Sequence, residues 1–174
     1  MLDPAVGGVN FFNGFGPPFF GPSGNVAGVS NIFPLDGISG YIGPQGALAG
    51  VFLSDAIPSS GPPPATLDFS AAGLGTGQAS LSPLLNQVFY IGNGLTSGSS
   101  FKEFIAPGGA TRLFLGIPDG FGFLNAPGAY DDNDGAYHIV IGVNQTPTVP
   151  EPQTYALMAL GLTLMAGLVR RRKT

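Results

Sequence analysis

Apolar residues are distributed along this chain in runs of five to eight residues, each bounded by Gly, Pro, Asn or Ser. The runs are Ala49–Ser54, Thr66–Ser70, Gln87–Ile91, Ser100–Ala106, Ala110–Ile117 and Ala136–Val143. In the last of them Tyr137, Ile139, Ile141 and Val143 alternate with Ala136, His138, Val140 and Gly142, the period of two expected of a strand with one buried face. Turn chemistry at spacings of about ten residues predicts an all-β fold, an antiparallel sandwich. Only Leu81–Asn86 suits a helical turn. Residues 1–25 carry N-F-F-N-G-F-G-P-P-F-F-G-P-S-G, a composition that forbids a regular helix and reads as either the remnant of a first strand or an irregular tail. The expected organisation is an irregular N-terminal segment over 1–25, a β-domain over 26–144, a linker over 145–153 and a terminal helix with a basic tail over 154–174.

Composition narrows the chemistry. The 174 residues include 29 Gly and 17 Pro, no Cys and one His, and only 9% are charged. One core is the ceiling for a chain of this length. The absence of Cys removes disulfides, thiolate metal sites and cysteine nucleophiles, and a single His leaves multi-histidine zinc sites and ordinary hydrolase triads without their parts. His138, beside Tyr137 on a strand, reads as a surface histidine rather than a general base. No serine sits in a G-x-S-x-G elbow, and the bunched aspartates cannot flank a glycosidic bond as an opposed pair. The expectation is a protein that is not an enzyme.

Net charge is −4, but four of the six basic residues lie in the last five positions, so residues 1–149 hold nine acidic side chains against Lys102 and Arg112 alone, a net −7. Such a body cannot neutralise a run of phosphates, which excludes nucleic acid as a partner. Cations suit it better. The densest polar stretch is the loop 118–135, where Asp119, Asp131, Asp132 and Asp134 join Asn125 and Asn133. Four like charges on one loop repel, and a divalent cation with oxygen ligands removes that repulsion. Calcium fits best because it accepts six to eight oxygens in loose geometry, backbone carbonyls included. The alternative is a polar turn in which Asp-Asn-Asp-Gly bonds its own backbone, with positive φ at Gly135.

The C-terminus has a separate logic. Tyr155–Val169 contains no charge, and as a helix its fifteen residues would extend about 22 Å, short of a hydrocarbon thickness of roughly 30 Å. Tyr155 at one interface and snorkelling arginines at the other would let it span, with the basic end cytoplasmic. A core helix, the other reading, would show a polar stripe, and beyond Tyr155 only Thr163 is polar here. Pro150-Glu151-Pro152, the apolar segment, and a terminus with Arg170, Arg171 and Arg172 together resemble the PEP-CTERM sorting signal of Gram-negative bacteria. The resemblance implies recognition by exosortase, anchoring at the inner membrane, removal of the helix, and release to the cell envelope or an extracellular polysaccharide matrix. It also implies a secretory signal peptide, and Met1–Asn25 has neither the basic residue nor the continuous apolar segment of one, so the true start is expected upstream of Met1.

Asn125 to Ile141, N-A-P-G-A-Y-D-D-N-D-G-A-Y-H-I-V-I, resembles the C-terminal calcium loop and last strand of the bacterial calcium-dependent galactose-binding lectins, whose pattern is D-x-P-G-x-Y-x-N-N-x-G-x-F. Tyr41-Ile42-Gly43-Pro44-Gln45-Gly46 resembles a second loop of that family, and Phe104–Pro107 with Ala110–Leu115 resembles the strand pair before the calcium loop. The resemblance covers about residues 39–143 and implies a galactose-binding-like or jelly-roll sandwich with calcium held by the side chains of Asn125, Asp132 and Asn133, the carbonyl of Ala129 and a carbonyl near Tyr41. Asn125 stands where the family has a bidentate aspartate, and Asp132 restores that charge in place of an asparagine. The family's sugar-holding acidic residues and histidine are replaced by Ala47, Leu48, Ala49 and Gly50, so galactose specificity does not carry over. Two functions follow as expectations: an exported lectin-like body binding calcium and carbohydrate or exopolysaccharide, or a structural matrix protein without a sugar site.

Overall fold

The computed structural model describes residues 3–12 and 16–144. The chain divides into two units, Met1–Ile141 and Gly142–Thr174, and the fold described here is that of the first. Among the described residues it is all β, with three short 3₁₀ turns and no α-helix. The strands are β1 (Val6–Asn10), β2 (Asn25–Ile32), β3 (Tyr41–Gln45), β4 (Ala49–Leu53), β5 (Leu67–Asp68), β6 (Ser80–Leu81), β7 (Val88–Tyr90), β8 (Glu103–Phe104), β9 (Arg112–Gly116), β10 (Leu124–Asn125) and β11 (Asp134–His138). They form a four-stranded sheet in the order β10-β2-β3-β5, a three-stranded sheet β7-β4-β9, and the two-stranded pairs β1-β11 and β6-β8.

The two larger sheets share one apolar core. Ile32 of β2 and Tyr41 of β3 meet Ala49 and Phe52 of β4 and Phe89 and Tyr90 of β7, with Ala47 and Phe69 between them. Tyr41, Phe69 and Phe89 are each 1% exposed, and burial of an aromatic this completely contributes about 1.5–3 kcal/mol. Tyr41 lies near-parallel to Phe69 at 6.2 Å and Phe52 to Phe89 at 5.2 Å. Gly43 makes this possible on β3, because a Cβ there would lie 2.5 Å from the Tyr41 hydroxyl oxygen; the hydroxyl donates to the Pro44 carbonyl at 3.3 Å.

The pairing is mixed rather than purely antiparallel. The longer ladders, β1–β11, β2–β3, β4–β7 and β4–β9, are antiparallel, whereas β10–β2, β3–β5 and β6–β8 are parallel contacts of two residues each. Chain-neighbour spacing cannot announce such contacts, because each is made by a segment returning from far along the sequence. The expected strands over 49–54, 66–70, 87–91 and 110–117 are present as β4, β5, β7 and β9. Tyr41–Gln45, read as a loop, is instead a strand. Phe104–Pro107 and Ala110–Leu115 do not pair: a turn closed by the Ala110 N–H on the Pro107 carbonyl sends β8 to β6 and β9 to β4. Leu81–Asn86 holds the end of β6 and a turn rather than a helix.

The N-terminal segment, irregular in composition and read as either the remnant of a first strand or a tail, contributes the strand β1, whose Val9 and Asn10, with Phe11 after them, are buried. Its register fixes β11: Val6 faces His138 and Asn10 faces Asp134. Beyond Val6 the partner is lost, since Ala5 donates its N–H to the Asn93 carbonyl at 3.1 Å. The strand expected over 136–143 therefore starts earlier and stops at His138.

Candidate metal centre

The loop joining β9 to β11 leaves the sheet at Ile117 and folds over itself through β10 and two 3₁₀ turns. Its anchor is Asp119, 2% exposed. The Asp119 carbonyl accepts from the Gly128 N–H at 3.0 Å. One carboxylate oxygen, Oδ1, accepts from the Gly120 N–H at 2.7 Å, and Oδ2 accepts from the Asn133 side-chain amide at 3.0 Å. The same Asn133 Nδ2 donates to the Ala129 carbonyl at 3.3 Å. Ala129 takes the left-handed conformation, φ 58°, which turns the chain into the 3₁₀ turn Tyr130–Asp132 and brings Asp132 and Asn133 back toward Asp119.

The electrostatics of this cluster are unbalanced. Burial raises the Asp119 carboxyl above the usual carboxylate range, the hydrogen bonds from Asn133 and Gly120 oppose that rise, and the Asp132 charge adds to it. Two side-chain oxygens of this cluster, Asp132 Oδ1 and Asn133 Oδ1, are buried without a hydrogen-bond partner among the described residues. A buried oxygen left unpaired costs about 1–3 kcal/mol. The two basic residues of the body are engaged elsewhere. Arg112 donates to the Ser54 and Ala56 carbonyls. Lys102 donates to the Ile91 carbonyl at 3.2 Å and lies 4.3 Å from the Tyr90 ring centre.

Of the residues expected to hold calcium, Ala129, Asp132 and Asn133 come together, and Asp119 joins them. Asn125 and Tyr41 take different places. Asn125 pairs with Ile32 on β10, its carbonyl accepting from the Phe33 N–H at 2.6 Å. Tyr41 pairs with Ile32 from the opposite side, on β3, so β2 runs between the two. Adjacent strands are about 4.8 Å apart. Asp131 is exposed, and Asp134 sits on β11 opposite Asn10. Among the described residues no three carboxylate or imidazole groups converge; the cluster offers two carboxylates, one amide oxygen and one carbonyl. Asp119 belonged to the acidic loop in the sequence, but only the closure of the loop identifies it as the centre.

Two hollows border the loop. A groove of about 350 Å³ lies between the sheets, lined by Ile32, Tyr41, Phe114, Pro118, Pro127 and Tyr130 among others. A shallower hollow of about 600 Å³ includes Leu48, Ile117, Tyr130, Asn133 and Tyr137. Ala47, Leu48, Ala49 and Gly50 are buried in or beside the core and present no polar side chain to either. His138 is exposed opposite Val6.

The body is thus a small mixed β-protein with an oxygen-rich loop at one side of its core. Residues 148–173 match the family model described as the PEP-CTERM protein-sorting motif, so the chain carries that motif at its C-terminal end. No curated protein and no solved structure matches the chain. Among the described residues no helix is long and apolar enough to cross a membrane. The predicted membrane helix over 154–174, the linker over 145–153 with Pro150, Glu151 and Pro152, and the basic Arg170, Arg171 and Arg172 lie outside the described residues.

Proposed function

We propose that this is an exported protein, sorted by exosortase through its C-terminal motif and delivered to the cell envelope or extracellular matrix, where its non-catalytic β-body is stabilised by a calcium ion in the 119–133 loop. The sorting half rests on the motif at 148–173, whose apolar segment serves as a transient inner-membrane anchor before cleavage. The calcium half rests on one observation: Asp132 Oδ1 and Asn133 Oδ1 are buried without partners beside the buried carboxylate of Asp119. Asp119, Asp132, Asn133 and the Ala129 carbonyl would hold the ion, which supplies the positive charge that Lys102 and Arg112 do not. Two carboxylates match the charge of one divalent cation, and the mixture of carboxylate, amide and carbonyl oxygens is the donor set calcium accepts. Calcium at millimolar concentration is expected to raise the melting temperature of the full chain, and Asp132→Ala to abolish the rise; a melting curve indifferent to calcium would refute the site.

A second reading, carbohydrate binding, is favoured by the hollow whose lining includes Asn133, Tyr130 and Tyr137, since aromatic side chains and an amide in one concavity suit a hydroxyl-rich ligand. A glycan array read with and without chelator separates the two. Chelator-sensitive binding supports a lectin-like role, and silence across neutral and acidic glycans leaves a structural matrix protein.

A further inference from the structure

The Asn133 carboxamide is placed where it can take either of two roles with one rotation. Its Nδ2 stands between Asp119 Oδ2 at 3.0 Å and the Ala129 carbonyl at 3.3 Å, donating to both. Its Oδ1 is buried and unpartnered. An –NH₂ group between a carboxylate and a carbonyl presents partial positive charge to the same two oxygens that a cation would take. Turning the amide over exchanges nitrogen for oxygen. Three acceptors, from Asp119, Ala129 and Asn133, would then face one another, an arrangement that needs a cation among them.

We propose that Asn133 is the gate of the cation site, its amide nitrogen standing in for the ion across Asp119 and Ala129 in the ion-free chain and its amide oxygen turning in as a ligand when the ion binds. This rests on the calcium reading above. It also gives Asp119, rather than Asn125, the role of charged partner, because Asp119 is the carboxylate the amide already touches while the Asn125 backbone is committed to the β10–β2 ladder. The stand-in explains how a buried carboxylate is accommodated without an ion: the loop keeps its closure through the two N–H bonds, and binding exchanges them for ion contacts rather than folding the loop anew.

Asn133→Asp tests the gate. Aspartate has nearly the same shape but no N–H, so it keeps the ligand oxygens and removes the stand-in. The full chain carrying Asn133→Asp is expected to melt lower than the native chain in chelator, and its calcium-induced rise in melting temperature to exceed the native rise by at least about twofold, because the ion-free form loses its donor and the site gains a charge. A native chain that responds to calcium alongside a variant that responds equally or less would overturn the gate while leaving the calcium site. Neither chain responding overturns both. A variant that responds where the native chain does not overturns both the gate and calcium binding by the native protein, the response then belonging to the added carboxylate. Should the variant fail to fold, the side-chain amide resonance of Asn133 in the ¹⁵N-labelled native chain decides: a selective shift on adding calcium, with faster amide proton exchange, supports the rotation, and an unmoved resonance while the melting temperature rises overturns it.

Discussion

The Asn133 side-chain amide donates to the Asp119 carboxylate at 3.0 Å, closing a loop across fourteen sequence positions. Asp119 is 2% exposed and bonds Gly120 on its other oxygen, so this contact ties a buried charge to the turn that carries Asp132. Asp119→Ala would leave the Gly120 N–H and the Asn133 amide without their shared acceptor. The expected loss is about 1–3 kcal/mol, measured by denaturant unfolding, together with loss of any response to calcium. Stability unchanged within error would show that the loop closes without this bond.

Asp131 and Asp132 are neighbours with opposite expectations. Asp131 is exposed, whereas Asp132 Oδ1 is buried and unpartnered. Asp131→Ala should alter stability by no more than about 0.5 kcal/mol and keep the calcium-induced rise in melting temperature. Asp132→Ala should remove the rise. Equal effects of the two substitutions would mean that general charge reduction, not a site, governs the response.

Gly135 sits within β11 at φ +105°, where an added Cβ would come 2.2 Å from the Gly8 carbonyl oxygen. Gly135→Ala therefore forces the β1–β11 ladder apart and is expected to destabilise by more than about 2 kcal/mol. Gly128 has open space around its Cα and no positive φ. Gly128→Ala should remain within about 1 kcal/mol of the native chain. Comparable midpoints for the two variants in a chemical unfolding series would contradict the register of β1 on β11.

Tyr137 ties the same ladder to the core, its hydroxyl approaching the carbonyls of Gly46 at 2.8 Å, Gly21 at 3.2 Å and Phe20 at 3.3 Å. Burial pushes the phenol up to about 12, so it donates throughout the physiological range. Tyr137→Phe keeps the ring and removes the donor, for an expected loss of about 0.5–1.5 kcal/mol. A variant as stable as the native chain would show that these carbonyls are satisfied otherwise.

Lys102 sets a pH dependence of known sign. Burial pushes its ammonium down from 10.5 to about 8. Between those two values the unfolded chain binds the extra proton, so this group's contribution makes stability rise with pH across that window, and below it the full desolvation penalty stands. Lys102→Met keeps the length of the side chain and removes the charge. The native melting temperature, measured relative to that of Lys102→Met, should climb between about pH 8 and pH 10. A flat or falling difference would contradict the buried ammonium.

Some of this structure could be read directly from the chain. Ala49–Leu53, Val88–Tyr90 and Arg112–Gly116 are apolar runs between turn residues, and all three are strands: the first two bury their side chains, whereas Arg112–Gly116 pairs with β4 while its side chains stay largely exposed. β3 was hidden by the residues that make it work: Gly43 and Pro44 look like punctuation, yet Gly43 gives the Tyr41 ring its room and the Pro44 carbonyl receives its hydroxyl. The two-residue parallel contacts have no local signal. The end of β11 was set by where β1 stops, not by the alternation that continues through Val143. In the site, the crowding of oxygens in 118–135 was visible and its centre was not. Asn125 and Asp119 are both polar loop residues, and only the tertiary path buries one of them and leaves the backbone of the other in a sheet.

Calorimetric titration of the full chain with calcium tests the central claim most directly. A single saturable site with one ion per chain, lost in Asp132→Ala and kept in Asp131→Ala, is the result predicted by the buried Asp119 carboxylate and the two unpartnered oxygens of the half-buried Asp132 and Asn133. Absence of binding heat, together with a melting temperature that stays constant up to millimolar calcium, would contradict it and leave the loop as a closed polar turn.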